Sequence, residues 1–170
     1  AFIVFTNHFH KEGLPVPQIY STDEANHLYL LEDLGDTTLF SWIERNRDTA
    51  TFTKEMLSLY KKVIDYLPYF QIKASANIDY SVCYPRAQFD KQSMLWDLSY
   101  FKYYFLKLAK INFDEQKLED DFQTFSIFLL QAEHTYFLYR DFQSRNIMIK
   151  DGNPYFIDYQ GGRKGALQYD

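Results

Sequence analysis

Two aspartates and an asparagine near the end of the chain are the residues with the clearest potential for chemistry. Asp141 follows an apolar run at residues 136–139, so we expect it where a strand gives way to a loop. Asn146 opens a second apolar run, and Asp158 ends the run that follows Asp-Gly-Asn at residues 151–153. Because Gly and Asn tolerate positive φ, this pattern predicts a β-hairpin that returns Asp158 to the side of Asn146. Three oxygen-bearing side chains would then converge on one point.

These side chains are of the types needed to transfer a phosphoryl group. Mg²⁺ prefers oxygen ligands and is commonly held by one or two protein groups and the phosphates of a substrate. Asn146 and Asp158 are therefore candidate Mg²⁺ ligands, and Asp141 is a candidate base that accepts a proton from a hydroxyl. The order Asp-x4-Asn and then Asp is similar to that in protein kinases. The alternative is an ordinary hairpin with polar surface residues, which the Asp-x4-Asn spacing alone would favour.

Composition limits the class of protein. The chain has 170 residues, enough for one domain with a hydrophobic core. A net charge of -5 and the lack of a Lys/Arg block argue against a nucleic-acid-binding protein. The one cysteine, Cys83, excludes an internal disulfide and argues against a cysteine-based zinc site. We find no transmembrane-length apolar run and no signal peptide, so we predict a cytoplasmic protein without a membrane partner.

Most of the elements that position these residues are predicted to be helices. Apolar residues at helical spacing predict helices over residues 1–12, 39–72, 89–111 and 114–133. Gly13 is expected to end the first helix, and Thr53 to begin a second helix within residues 39–72. The apolar stripes of these helices are expected to be core.

A buried strand is predicted ahead of the longer helices. Residues 27–31 are nearly all apolar, which predicts a strand buried on both faces, after a turn at residues 23–26. Residues 32–36 then lead to a helix that Asp36 or Thr37 could cap. This connector is either a simple strand-to-helix link or a hinge whose backbone binds the adenine of a nucleotide, and the motifs downstream favour the hinge. The predicted fold class is α+β with the helices segregated from the strands.

The motifs resemble a known family. Residues 139–146 (YRDFQSRN), 158–160 (DYQ) and 30–36 (LLEDLGD) are similar to the aminoglycoside phosphotransferase and choline kinase superfamily, which has a protein-kinase-like fold. Within it, they most resemble the bacterial kinases that phosphorylate N-acetylmuramate and N-acetylglucosamine. The resemblance implies a fragment of a longer chain. Residues 1–36 would be the end of the N-lobe and the hinge, and residues 37–170 a mostly helical C-lobe that carries the catalytic hairpin.

The resemblance also implies a function and roles for individual residues. It implies ATP-dependent, Mg²⁺-assisted transfer of the γ-phosphoryl group to a hydroxyl of a small molecule, here expected to be an amino sugar. Asp141 would be the catalytic base, and Asn146 and Asp158 the Mg²⁺ ligands. The adenine-facing hinge would consist of Leu31, Glu32 and Asp33. Arg145 would assist catalysis by pairing with Asp141 or with the acceptor, unless it is an ordinary surface arginine.

Several departures from the family pattern leave alternatives open. Tyr139 stands where the motif usually has His, which motivates a second hypothesis, a nucleotide-binding regulatory module without turnover. Gln160 replaces a glycine of the protein-kinase motif and predicts a less mobile loop. Arg163 and Lys164 are candidates for binding a carboxylate on an acceptor sugar, or else solvated loop charges. The acceptor could instead be an aminoglycoside or a choline-type alcohol. A protein kinase is disfavoured because few residues follow Asp158.

Overall fold

The computed structural model describes residues 1–47 and 52–170, which form five α-helices and six short strands. The α-helices are α1 Phe2–Lys11, α2 Leu39–Asn46, α3 Lys54–Pro68, α4 Lys91–Phe101 and α5 Glu115–Leu129. The strands are β1 Ile19–Asp23, β2 Leu28–Leu31, β3 Tyr136–Leu138, β4 Ile147–Lys150, β5 Asn153–Phe156 and β6 Arg163–Gly165. In the described residues the strands form three antiparallel pairs, β1 with β2, β3 with β6, and β4 with β5. Residues 48–51 of the predicted helical stretch lie outside the described residues.

Helix α1 begins and ends as predicted. Its C-terminus is closed by two hydrogen bonds, from the Leu14 N–H to the Phe9 carbonyl (2.9 Å) and from the Gly13 N–H to the His10 carbonyl (3.0 Å). This is the Schellman arrangement, and Gly13 accommodates it with a φ of 77°. The chain then turns back so that the Pro15 carbonyl accepts a hydrogen bond from the Phe156 N–H at 2.8 Å, which ties the helix exit to β5.

The predicted strand at residues 27–31 is present as β2, but the expectation that both its faces are buried is wrong. Leu28 and Leu30 are 63% and 61% exposed. On the other face, Tyr29 contacts Phe2 of α1 with a ring separation of 5.2 Å. Within the described ranges β1 and β2 form an isolated pair, so no second layer covers the leucine face. A continuous apolar run therefore indicates a strand here without indicating what covers it.

The N-cap of helix α2 lies one residue after Thr37 and two residues after Asp36, the two predicted caps. Thr38, rather than Asp36 or Thr37, occupies the N-cap position. Its hydroxyl accepts from the Ser41 N–H, while its own N–H donates to the Ser41 hydroxyl, both at 3.1 Å. This reciprocal capping box satisfies two backbone donors that the helix leaves unpaired.

Helix α3 starts as predicted, because the Thr53 hydroxyl accepts from the Met56 N–H at 3.2 Å. The α-helix ends at Pro68, and the chain continues as a π-helical turn over Tyr69–Lys73. This extra turn places Phe70 in the core, where it is fully buried.

Helices α4 and α5 are capped by Asp90 and Asp114. The prediction that their apolar stripes are core is wrong for much of their length. Met94 and Phe122 are buried, whereas Phe128 of α5 is 62% exposed and Phe105, in the π-helical turn Lys102–Leu106 that follows α4, is 54% exposed. The contact of this turn with α5 is polar, since the buried Lys102 pairs with two glutamates in the first two turns of α5. None of the described helices is long and apolar enough to cross a membrane.

The core is dominated by aromatic rings and lies between α1, the π-helical turn, β3 and the β4–β5 hairpin. Phe9 packs edge-to-face on Phe137 at 5.2 Å, and Phe70 does the same on Phe156 at 5.0 Å. Such edge-to-face pairs contribute about 0.5–1.5 kcal/mol beyond the burial of their surface. The buried aromatic set of this core is Phe5, Phe9, Phe70, Phe137, Tyr139, Phe156 and Tyr159. The loops that hold Asp141 and Asp158 therefore begin directly next to residues of this tightly packed core.

Candidate active site

The predicted hairpin is confirmed. Strands β4 and β5 pair through a two-residue turn, in which Asp151 and Gly152 both have positive φ values of 51° and 73°. Turns of this kind match the right-handed twist of paired strands. At the other end of the ribbon, the Ile157 N–H donates to the Asn146 carbonyl at 3.1 Å. The pairing thus brings the residue before Asp158 next to Asn146.

Asn146 joins the two aspartates. Its side-chain amide donates to a carboxylate oxygen of Asp158 and to the backbone carbonyl of Asp141, each at 3.0 Å. The other carboxylate oxygen of Asp158 accepts from the Gln160 side chain. Asp158 itself has the left-handed backbone conformation, with φ 67° and ψ 26°. The side chains of Asn146 and Asp158 therefore meet as expected, whereas Asp141 joins them through its backbone carbonyl, and the chemical roles stay predictions.

The donor set of Asn146 and Asp158 suits a hard cation. A carboxylate and a carboxamide supply oxygen ligands of the kind that Mg²⁺ prefers. Among residues 1–47 and 52–170, no group of three or more His, Cys, Asp or Glu side chains is arranged to hold a metal ion. Two protein ligands are what Mg²⁺ usually takes when phosphates and water complete its octahedral shell. The arrangement thus fits a cation that binds together with a phosphate-bearing ligand.

The carboxylate of Asp141 is available to accept a proton. No group in the described part of the chain donates a hydrogen bond to it. Burial raises its pKa, the Arg140 guanidinium opposes that rise, and the Asp158 carboxylate adds to it. Gly161 lies alongside, where a Cβ would come within 3.3 Å of the Asp141 carboxylate. A carboxylate with a raised pKa is the better proton acceptor at neutral pH.

Tyr139, at the position where the related motif has histidine, has a supporting contact. It is buried, and its hydroxyl donates to the Ile157 carbonyl at 2.8 Å. Burial raises the pKa of Tyr139, so the hydroxyl keeps its proton and acts as a donor. The tyrosine therefore holds the peptide that immediately precedes Asp158.

Asp170 is a supporting residue that sequence reasoning missed. Its carboxylate accepts from the backbone N–H groups of Tyr139 (2.8 Å) and Arg140 (2.7 Å) and from the side chain of Gln71 (3.0 Å). Arg140 has a φ of 79°, and its guanidinium lies 3.7 Å from Asp97. No motif marks Asp170, because its partners lie about 30 and 100 positions earlier in the chain. It fixes the backbone that leads into Asp141.

Arg145 lies against α2. Its guanidinium carbon is 4.0 Å from the centre of the Phe40 ring, a cation–π contact. Within the described ranges it forms no ion pair with an acidic side chain, Asp141 included. The contact leaves the exposed planar edge of the guanidinium accessible for a further partner.

The predicted hinge residues separate into two environments. Leu31 lines a cleft of about 490 Å³ together with Asn146, Asp158 and Gln160. Glu32 and Asp33 instead contact Lys150 of β4, whose ammonium lies 2.7 Å from the Glu32 carboxylate and 3.0 Å from the Asp33 carbonyl. The cleft thus connects the end of β2 with the candidate metal ligands.

Arg163 and Lys164 occupy β6 and are not free loop charges. The Arg163 side chain is buried and donates to the carbonyls of Gly161 (3.2 Å) and Tyr84 (3.4 Å). The ammonium of Lys164 lies 5.1 Å above the Tyr80 ring. The alternative of a solvated charge is therefore wrong for Arg163, and its interactions are with backbone carbonyls around Asp141.

Comparison with curated proteins found a similar kinase. The chain is 26% identical over 161 residues to the N-acetylmuramate/N-acetylglucosamine kinase of Neisseria meningitidis serogroup B (strain MC58), an alignment that covers 91% of this chain and 44% of that protein. No protein-family model matches the chain. The chain spans less than half the length of this relative.

Comparison with solved structures found aminoglycoside phosphotransferases. The ADP-bound crystal structure of APH(2'')-Ib superposes with a TM-score of 0.56 at 13% identity, covering 98% of this chain and 58% of that one. The ternary complex of APH(2'')-IIa with streptomycin and ATP gives a TM-score of 0.53, also at 13% identity, covering 99% of this chain and 58% of that one. The resemblance predicted from the motifs is confirmed: the chain has the α+β, protein-kinase-like fold of the aminoglycoside phosphotransferases.

Proposed function

We propose that this chain carries the catalytic centre of an ATP-dependent small-molecule kinase. The observation that supports this most directly is the pair of hydrogen bonds from the Asn146 side chain, to the Asp158 carboxylate and to the Asp141 backbone carbonyl, each at 3.0 Å. The proposed base and the two proposed metal ligands are thereby held together at one end of the β4–β5 hairpin. Phosphoryl transfer depends mainly on such positioning and on charge stabilisation.

The cleft gives the proposed nucleotide an orientation. Leu31, at the end of β2, would face the adenine, while Asn146 and Asp158 at the other side would hold Mg²⁺ against the phosphates. Bound Mg²⁺ would neutralise the charge that develops on the transferred group. Glu32 and Asp33 would fix the backbone path of the hinge through their contacts with Lys150. Their side chains would not contact the nucleotide. We propose that the boundary between the N-lobe and the C-lobe lies between residues 36 and 37.

Asp141 would orient the acceptor hydroxyl and accept its proton. The pKa of its carboxylate is raised by burial, so its proton affinity is better matched to that step than that of an exposed aspartate. Arg145, held on Phe40, would direct its guanidinium to the transferred phosphoryl group or to the acceptor. Both roles are proposals that substitution can separate.

The acceptor we propose is an amino sugar of the N-acetylhexosamine or N-acetylmuramate type. Similarity over 91% of this chain to a kinase named for those two sugars supports it. A second candidate is an aminoglycoside, because the structural neighbours are aminoglycoside phosphotransferases. ADP release measured with N-acetylglucosamine, N-acetylmuramate, streptomycin and choline would rank the candidates. Nucleotide binding without turnover on any acceptor would instead favour the regulatory module.

The central test is the Asp141→Asn variant. It keeps the shape of the side chain but removes the proton acceptor, so we expect kcat to fall by about 10²–10⁴-fold. The measurement is steady-state ADP release with the best acceptor of the panel. Asp121→Asn, an exposed position on α5, is the matched control and is expected to keep full activity. Near-normal turnover of Asp141→Asn would remove Asp141 from the mechanism.

A further inference from the structure

A buried chain of hydroxyl groups connects α1 with the turn that carries Asp158. The Thr6 hydroxyl donates to the Phe2 carbonyl at 2.8 Å and lies 2.7 Å from the Tyr159 hydroxyl. Because the one proton of Thr6 is already used, the Tyr159 hydroxyl must be the donor in the second contact. Both side chains are at most 1% exposed.

Asp158 has a backbone conformation that requires support from its neighbours. Its φ of 67° lies in the left-handed region, which costs free energy for a residue with a Cβ, although less for Asp and Asn than for most others. On its N-terminal side, the Ile157 peptide is held through its carbonyl by Tyr139 and through its N–H by Asn146. On its C-terminal side, the adjacent residue is Tyr159, and the hydroxyl of Tyr159 is held by α1.

The ring of Tyr159 is fixed to the same helix. It packs edge-to-face on Phe9 at 5.2 Å and lies nearly parallel to Phe2 at 6.0 Å. These rings restrict the tilt of Tyr159, and the hydrogen bond to Thr6 holds its hydroxyl end against α1. A shift of this side chain would move the backbone of Asp158, the preceding residue.

We propose that Thr6 is a positioning residue for the metal site: through the Tyr159 hydroxyl it holds Asp158 in the left-handed conformation that directs its carboxylate to Asn146. This inference depends on the proposed function, because it assumes that Asp158 binds Mg²⁺. Helix α1 would then take part in metal binding without itself contacting the Asp158 carboxylate. Thr6 acts through Tyr159 and touches neither ligand.

The test is the Mg²⁺ dependence of ADP binding, measured by calorimetry on the full chain, together with thermal unfolding. Thr6→Val keeps the side-chain shape and removes the acceptor. We expect the Mg²⁺ concentration for half-maximal ADP affinity to rise about 10–100-fold, the usual effect of losing a residue that orients a ligand. Tyr159→Phe and the double variant are expected to show the same rise, since each breaks the same link. Thr6→Ser restores the hydroxyl and is expected to stay within about twofold of wild type.

The outcomes distinguish a role of Thr6 in positioning Asp158 from a role in packing alone. An unchanged Mg²⁺ requirement in Thr6→Val, with only a lower Tm, would show that the link is structural and would overturn the inference. Equal impairment of Thr6→Ser and Thr6→Val would also overturn it, because the methyl contact and not the hydroxyl would then matter. If the wild-type chain binds ADP without any Mg²⁺ dependence, the proposed metal site itself fails, and this inference fails with it.

Discussion

At the scale of single residues, the site depends on groups that support the chemistry without taking part in it. Asp170 accepts two backbone N–H groups next to Asp141, and Tyr139 holds the peptide before Asp158. Both residues restrain backbone that is either left-handed itself or adjacent to a left-handed residue. Replacing histidine by tyrosine in the motif therefore preserves a hydrogen-bonding tip at this position. The substitution therefore gives less support to the hypothesis of a nucleotide-binding regulatory module without turnover.

The variant Asp170→Ala tests this support. It leaves the N–H groups of Tyr139 and Arg140 without their charged acceptor, so we expect the free energy of unfolding to fall by roughly 1.5–3 kcal/mol. Displacement of the loop is expected to lower kcat by about 10–100-fold while Mg²⁺-dependent ADP affinity changes little. Urea unfolding and steady-state kinetics measure the two effects. A variant with lower stability but wild-type kcat would show that Asp170 supports the fold alone.

At the scale of elements, the β4–β5 hairpin organises both ends of the cleft. One end carries Asn146 and Asp158, and near the other Lys150 binds Glu32 of the hinge at 2.7 Å. Helix α2 is attached to the same ribbon, because the Ile149 N–H donates to the Thr37 carbonyl at 2.7 Å. The distance between the proposed hinge and the candidate metal ligands is thus set by the length of β4.

The ion pair between hinge and hairpin predicts a pH-dependent contribution to stability. The Lys150 ammonium lowers the pKa of Glu32 below 4.5, so the pair stabilises the folded chain above that pH. Its contribution is lost as the pH falls through the lower pKa of the folded state. Lys150→Met is expected to lower the free energy of unfolding slightly at pH 7, because solvent screens a partly exposed pair.

Urea unfolding at a series of pH values checks this expectation. The difference between wild type and Lys150→Met should shrink below pH 4.5, where protonation of Glu32 breaks the pair in both proteins. Lys117→Met, on the exposed face of α5, is the control and should show no such change. A difference that is constant over this pH range would mean that Lys150 acts by packing and not by charge.

At the scale of the whole molecule, one aromatic core connects the parts that form the site. Phe9 of α1 contacts Phe70, Phe137 and Tyr159, which belong to three other segments. The helices α4 and α5 contribute less to this core and expose large aromatic residues instead. The cleft is thus supported from one side by a cluster that includes Tyr139, just before Asp141, and Tyr159, just after Asp158.

A ligand that binds this cleft should stabilise the whole chain. Mg²⁺ and ADP at about 100 times the dissociation constant are expected to add about 2.7 kcal/mol to the free energy of unfolding. For a chain of this length that raises the Tm by about 5–10 °C. Asp158→Ala should lose this shift, and Asp121→Asn should keep it. An equal shift for Asp158→Ala with Mg²⁺ present would refute the assignment of Asp158 as a metal ligand.

The sequence by itself determined the elements that depend on local chemistry. The Asp-Gly turn and the apolar runs on both sides of it predict the hairpin, because turn type and strand period are properties of neighbouring residues. The hairpin in turn predicts that Asn146 and Asp158 meet, and the structure places them 3.0 Å apart. The start of α3 at Thr53 and the end of α1 at Gly13 are likewise local.

Only the tertiary structure decided which groups meet across long separations. The link from Thr6 to Tyr159, the contact of Asp170 with Tyr139 and the pair of Glu32 with Lys150 join residues 153, 31 and 118 positions apart. No periodicity encodes such contacts, since they depend on how whole elements pack. The same reason explains the exposed leucines of β2: hydrophobicity shows that a surface can be covered, and packing decides whether another element covers it.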